Sequence, residues 1–286
     1  MSVRAEICAI LSDARLFYGH GYQDAEHEAD AILAHLGIDV DASALDSNSE
    51  LSRQAVQFAR ERAESKKPLP YVLGRAWQDV FEFDVDERVL IPRSYIAEFL
   101  LDGTLDSWFG DTPPPTILEI GTGSGALIII AGHVYPDAAL HGSDISAEAL
   151  SVARNNRAHY GMDDTLHLHL ADVFNGVPIA LLGKIDLLIS NPPYVTLDAM
   201  QALPPEYLHE PALALAAGDD GLDIVRRILS AAKNWLSPTG VAIIEVGNNR
   251  ALVEHAYPQL ELFWLTGLAH EDAVFVVSAE ALQALT

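Results

Sequence analysis

Apolar residues near the start of the chain recur at helical spacing. Ile7, Ile10, Leu11 and Ala14 fall at i, i+3, i+4 and i+7, the stripe through which an amphipathic helix meets a core. Two more helices are expected, one from about Asp24 to Leu36 with Gly37 as its stop, the other from about Glu50 to Ser65. No strand-like stretch precedes Pro68. The pattern then changes to alternating apolar and polar positions in PLPYVLGRAWQDVFEFDVDERVLIPR, which reads as a hairpin or two short strands. DTPPPT at 111–116 is a breaker. Beyond it, strands are expected at 116–120, 138–144, 165–171, 185–190, 240–246, 260–266 and 273–278, with helices between most of them. Such alternation gives an α/β fold with a mainly parallel, doubly wound sheet. The expected organisation is a helical region 1–66, a linking hairpin 67–92 and an α/β domain 93–286.

Composition narrows the partners. Forty-one acidic residues face seventeen basic ones, for a formal net charge of −24. The densest basic spots, Lys66-Lys67 and Arg226-Arg227, are short and far apart, so the basic stripe that holds a phosphate backbone is missing. The acid excess fits attraction to a basic protein, and equally a high-salt or acidic proteome. A single cysteine, Cys8, excludes an intramolecular disulfide and a thiolate metal cluster. The start reads as helix and not as a signal peptide, and no apolar run approaches the ~18 residues that span a bilayer. A cytoplasmic protein with no membrane association is expected.

Doubly wound sheets bind ligands beyond the carboxyl ends of their strands, near the point where the strand order reverses. The first such end reads TILEIGTGSG. Gly121, Gly123 and Gly125, with Thr122 between them, allow a tight turn and close backbone approach to a ligand. The spacing is neither the dinucleotide fingerprint nor a phosphate-cradling loop. Glu119 before the turn suits a cationic ligand better than a pyrophosphate. Asp144 ends the next strand, twenty-three positions after Gly121, where a carboxylate can accept from both ribose hydroxyls. Together these features fit S-adenosylmethionine, and Asp172 at the end of the third strand can reach the adenine amine, with a capping role equally open.

SNPPYV at 190–195 leaves the fourth strand through two prolines. A residue before proline is pushed to extended geometry, so Asn191 and Pro192 are both fixed. The Asn191 side-chain oxygen and the Pro192 carbonyl then stand as adjacent acceptors, suited to a group with two N–H hydrogens. Pro193 stiffens the turn and Tyr194 supplies a flat face. The pattern is built to grip a planar NH2. The lone pair of such a nitrogen is delocalised; twisting away that conjugation in a peptide amide costs ~18–20 kcal/mol. Acceptors placed for a pyramidal nitrogen favour the transition state over the flat ground state. His167 and His169 alternate on a strand without a third ligand nearby, so no metal site is expected. His209-Glu210 downstream are candidates for substrate contact, with a loop role equally open.

The combination of EIGTGSGA, SNPPYV and LIPRS resembles the N(5)-glutamine methyltransferase family, over nearly the whole chain. The resemblance implies a Rossmann-like class I methyltransferase domain with a seven-stranded sheet, preceded by helices that recognise the acceptor. It places the cofactor loop on Gly121 to Gly125, the ribose carboxylate on Asp144 and the amide clamp on Asn191 to Tyr194. S-adenosylhomocysteine is the implied by-product. Pro92-Arg93-Ser94-Tyr95-Ile96-Ala97-Glu98, where the release-factor branch has Pro-Arg-Pro-Glu-Thr, resembles the branch that methylates large-subunit ribosomal protein L-three. So does LPPEYLHEPALALAAGDDGLDIVRRIL at 203–229. Val173 departs from the tryptophan frequent in the release-factor branch. The expected acceptor is L-three, free or in a ribosomal precursor, with nucleic acid met only in the latter. Release factors, an exocyclic amine of a DNA or RNA base, and a non-enzymatic cofactor-binding scaffold are the alternatives.

Overall fold

The computed structural model describes residues 2–39, 49–268 and 271–285. Three helices come first: α1 Val3–Asp13, α2 Ala25–His35 and α3 Glu50–Ser65. Ser2, Asp24 and Ser49 accept from backbone N–H groups of the first turns and so fix where each helix starts. Ile7 and Leu11 of α1, Ala29 and Ile32 of α2, and Ala55 and Ala59 of α3 close a small core of their own.

The stretch expected as a hairpin opens with a short helix, α4 Leu69–Leu73, which Gly74 ends in left-handed geometry at φ 69°. Pro70 inside the first turn favours this, because its missing N–H is not needed there. The hairpin follows as β1 Arg75–Gln78 and β2 Phe81–Asp84. After α5 Ile96–Leu101 the remaining elements are β3 Thr116–Ile120, α6 Ala126–Val134, β4 Ala139–Asp144, α7 Ala147–His159, β5 Leu166–Leu170, β6 Ile185–Ser190, α8 Leu197–Gln201, α9 Asp223–Trp235, β7 Leu236–Glu245, α10 Arg250–Ala256, β8 Phe263–Thr266, β9 Glu271–Ser278 and α11 Ala279–Leu282.

The sheet runs β5-β4-β3-β6-β7-β9-β8, with β9 antiparallel to both neighbours and the other pairings parallel. The chain steps outward from β3 through β4 to β5, then returns to the far side of β3 as β6. The strand order therefore reverses between β3 and β6, and their carboxyl ends face one crevice. Two apolar cores cover the two faces of this sheet, and buried runs such as Leu187-Leu188-Ile189 on β6 reflect burial on both sides. Among the described residues, no helix is long and apolar enough to cross a membrane.

The segment after β6 ties the helices to the sheet through buried charge. Arg62 of α3 grips Glu28 of α2 at 3.0 and 3.1 Å, donates to the Phe17 carbonyl at 3.1 Å and approaches Glu206 at 3.7 Å. Glu206 also accepts from Phe17 N at 2.9 Å. Glu210 accepts two bonds from Arg93 at 2.6 and 2.8 Å and one from Ile91 N at 3.1 Å. His20 stands at 3.4 Å, too long for a well-formed bond, so Arg93 is the principal partner. Burial by itself would raise the Glu210 carboxyl; the His20 and Arg93 contacts outweigh it and hold it near 2, below its ordinary 4.5.

A carboxyl depressed on folding contributes stability above its unfolded pKa and loses it as pH falls toward the folded one. The Glu210 latch should therefore be whole above pH 4.5 and fade toward pH 2. Glu210→Gln should lower stability at pH 7 by about 3 kcal/mol and flatten the acid side of the stability profile. Urea unfolding from pH 7 down to pH 3 checks this. Parallel profiles for the two proteins would remove Glu210 from the latch.

Candidate active site

The crevice between β3 and β6 deepens into a cavity lined by Gly121 and Gly123 after β3, Asp144 at the end of β4, Asp172 and Val173 after β5, and Asn191 and Pro193 after β6. Four loops distant in sequence meet because four parallel strands end together.

The glycine loop is fastened at both ends. Gly121 N and Thr122 N donate to the Ser143 carbonyl at 2.8 and 2.9 Å, and Gly123 N donates to Asp144 Oδ2 at 2.8 Å. Gly121 and Gly123 sit at φ 76° and 53°, a region that side chains with a Cβ occupy at a cost. Gly125, at φ 84°, turns the loop into α6. Glu119 does not reach the cavity wall. It is buried beneath the loop, accepts from Thr122 Oγ1 and from Ile128 N, and burial pushes its carboxyl up to about 8. A group so enclosed braces the turn, whereas the sequence had suggested a direct meeting with a cation. Asp144 keeps a face on the cavity. Its oxygens accept from Gly123 N and Ser146 N, and burial nevertheless raises its carboxyl.

Asp172 pairs with Arg227 of α9 at 2.7 Å, and both line the cavity. Val173 sits at φ 56°, an outlier for a β-branched residue. It is held there by the turn in which Asp172 and Asn175 exchange backbone bonds at 2.9 and 3.0 Å. Gly176 makes that turn possible, since a Cβ would lie 2.5 Å from the Leu170 carbonyl.

Asn191 Oδ1 is buried and has no hydrogen-bond partner among the described residues. An amide oxygen withdrawn from water without a donor costs roughly 1–3 kcal/mol. Pro192 is buried behind it, and Tyr194 closes the turn. Val195 then pairs with Leu215 and Ala217 at 2.9 Å each, so the downstream segment clamps the motif in place.

His209 and Glu210 lie outside the cavity lining. His209 faces Glu87 at 3.2 Å and the Ser65 carbonyl at 3.1 Å, and Glu210 belongs to the latch. Val89 and Leu90 from the stretch after the hairpin, with Pro211, Leu213, Ile224 and Arg227, complete the cavity walls. Leu90 opens LIPRS and the last four lie in the 203–229 stretch, but nothing in either motif shows from sequence that these side chains wall a cavity. His167 and His169 lie beside His141 on the outer strands, with His141 Nδ1 3.0 Å from His169 Nε2. Among the described residues no set of three or more His, Cys, Asp or Glu is arranged to hold a metal.

The donor set fits an adenosyl amino acid. Asp144 can still accept from ribose hydroxyls, the apolar walls at Ile145, Leu213 and Ile224 suit a purine, and the loop offers close backbone approach. Asp144→Ala should weaken S-adenosylmethionine binding at least tenfold, a loss of ~1.4 kcal/mol or more. Isothermal titration of both proteins decides the matter, and an unchanged dissociation constant would sink the assignment.

Comparison with known proteins agrees with this geometry. Residues 113–264 match the family described as Methyltransferase domain. The ribosomal protein uL3 glutamine methyltransferase of Neisseria meningitidis is 43% identical over 277 residues, spanning 95% of this chain and 90% of that one. The protein of the same name from Burkholderia pseudomallei is 41% identical over 96% of this chain and 92% of its own. Among solved structures, the hMettl16 catalytic domain bound to a MAT2A 3′UTR hairpin superposes with a TM-score of 0.55, covering 93% of this chain and 96% of that one at 13% identity. That likeness is one of fold. With the sheet order, the glycine loop and relatives of this identity over nearly its whole length, the chain belongs to the ribosomal protein uL3 glutamine methyltransferase family.

Proposed function

We propose that this protein transfers a methyl group from S-adenosylmethionine to the side-chain amide nitrogen of a glutamine in ribosomal protein uL3. One observation carries the chemistry: the buried, unpartnered Asn191 Oδ1 beside a cavity that fits the adenosyl cofactor. An orphaned acceptor in that place is completed by a donor that arrives with the acceptor protein, and a glutamine NH2 supplies two hydrogens. The choice of uL3 rests on the names of the relatives and on the net charge of −24, which favours encounter with a basic protein.

S-adenosylmethionine, when bound, supplies an electrophilic methyl group. The protein's own contribution is placement. Asn191 and the Pro192 carbonyl take the two amide hydrogens, and the Tyr194 face covers the planar group. Held this way, the nitrogen is favoured as it loses conjugation and becomes pyramidal. An alkylated amide nitrogen sheds its proton readily, so the motif works without a strong base. Fixing the amide beside the donor methyl removes much of the entropic barrier to a reaction between two molecules.

The test offers labelled cofactor and, separately, unmethylated uL3, an unmethylated release factor, and single- and double-stranded nucleic acid. Label on one uL3 glutamine, located by mass spectrometry, is the expected result. Label on the release factor alone would overturn the substrate, and label on nucleic acid alone would overturn the acceptor class. Asn191→Ala should lower kcat by ~10²–10³-fold with cofactor affinity nearly unchanged, as for loss of one polar group aimed at the transition state. Retained turnover would remove Asn191 from the mechanism.

A further inference from the structure

Tyr194 is held at three points by the carboxyl end of β7 and the turn that follows it. Its hydroxyl donates to Glu245 Oε1 at 3.2 Å, and its carbonyl accepts from Asn249 Nδ2 at 2.9 Å. Between these, Gly247 lies under the ring at φ 54°; a Cβ there would come within 2.8 Å of Tyr194 Cε2. Gly221 clears the same kind of space beneath the Tyr194 carbonyl, where a Cβ would stand 2.5 Å away. Hydroxyl, ring and backbone are each given a seat.

Glu245 is the least expected part of that seat. It is 1% exposed at the end of a central strand, where an apolar residue would pack at lower cost. Its second oxygen accepts from Ser94 Oγ at 2.6 Å and from Tyr95 N at 2.9 Å. Three donors from two distant segments converge on one carboxylate, and each bond fixes a direction that packing alone would leave loose. Ser94 stands in the Pro-Arg-Ser-Tyr-Ile stretch where the release-factor pattern has proline, which has no hydroxyl to give.

We propose that Glu245 is a positioning residue of the transfer reaction. It acts through Tyr194, holding the ring at the angle from which its face covers the acceptor amide, and it links that angle to the Ser94–Tyr95 segment. The inference rests on the amide-clamp reading of the site. Tyr194 would be the group that touches the acceptor, while Glu245 stays behind it. A reacting group displaced by about 1 Å can cost ~10²-fold in rate, which sets the scale of the expected effect.

The experiment compares wild type with Glu245→Met, Glu245→Gln, Tyr194→Phe and the double variant E245M/Y194F, on whichever acceptor takes label from wild type. Methionine keeps the length and removes the acceptors. Glutamine keeps one oxygen for Ser94 and Tyr95, and its NH2 can donate to the Tyr194 hydroxyl, which turns round to accept. E245M should lose roughly ten- to a hundredfold in kcat with cofactor affinity unchanged, and E245Q should recover most of it. Because both changes cut the same link, E245M in a Y194F background should cost little more than Y194F alone. Additive losses, or an E245M enzyme as fast as wild type, would overturn the proposal.

A second readout needs no turnover. With ring-labelled tyrosine, the Tyr194 ζ-carbon resonance, identified by its loss in Y194F, should move in E245Q, where the hydroxyl changes from donor to acceptor. A resonance that stays in place overturns the link even if E245M fails to fold. A wild-type protein that labels no glutamine would sink the proposed function, whereas the resonance still decides whether Glu245 holds Tyr194.

Discussion

A carboxylate taken out of water must be met by donors, or its burial costs several kcal/mol. Five buried glutamates among the described residues obey that constraint; Glu28 takes Arg62, and all but Glu119 draw on segments distant in sequence. Glu119 gathers Thr122 and the start of α6. Glu206 and Glu210 gather the helical region, the stretch after the hairpin and the segment that follows the Asn-Pro-Pro-Tyr turn. Glu245 gathers Ser94, Tyr95 and Tyr194. Hydrophobic contact would hold these parts near one another; a carboxylate with specified donors holds them in one arrangement. The arrangement of the site thus depends on the buried acid groups underneath its walls as well as on the walls themselves.

The division of labour across the crevice follows from the sheet. Loops after β3, β4 and β5 form the side proposed for the cofactor, and their bonds are mostly backbone to backbone or backbone to carboxylate. The loop after β6 forms the side proposed for the acceptor, where Asn191 Oδ1 has no partner among the described residues. A satisfied half and an unsatisfied half face each other across the strand reversal. The asymmetry separates a side whose bonds are complete before any ligand arrives from a side with one acceptor still open to an incoming donor.

Much of this was legible in the chain. The strands were readable because their apolar runs are short, continuous and bounded by turn residues, and they appeared within a few residues of their expected places. The glycine loop, Asp144 and the Asn-Pro-Pro-Tyr turn carry local chemistry; Gly121, Gly123, Asp144, Asn191 and Pro193 line one cavity, while Pro192 and Tyr194 stand outside its lining. The short helix at Leu69–Leu73 was missed because Val72 and Leu73 run on into the alternating pattern of the hairpin. Glu119 was read as facing a cation because sequence shows that a residue adjoins a loop but not on which side of the strand end it emerges. The partners of Glu210, Arg62 and Glu245 were out of reach altogether. They are separated by 117, 34 and 51 residues in Arg93–Glu210, Glu28–Arg62 and Tyr194–Glu245, and only the folded chain makes them neighbours.

The placement of β9 has a consequence for how the protein is made. β7 carries Glu245, and one of its edges is covered only by β9, which pairs Glu245 with Val274 and whose Ala273 carbonyl accepts from Val246 N. The strands of the cofactor side, β3 to β6, are all synthesised before β7 and can pair among themselves. The edge Val241-Ala242-Ile243-Ile244 has no such early partner. As the chain leaves the ribosome, that apolar edge stays open until residues 271–278 emerge, an invitation to sticking between nascent chains. The strands that carry Gly121, Asp144 and Asn191 at their ends can thus pair while β7, which seats Tyr194, still waits for β9 along one edge.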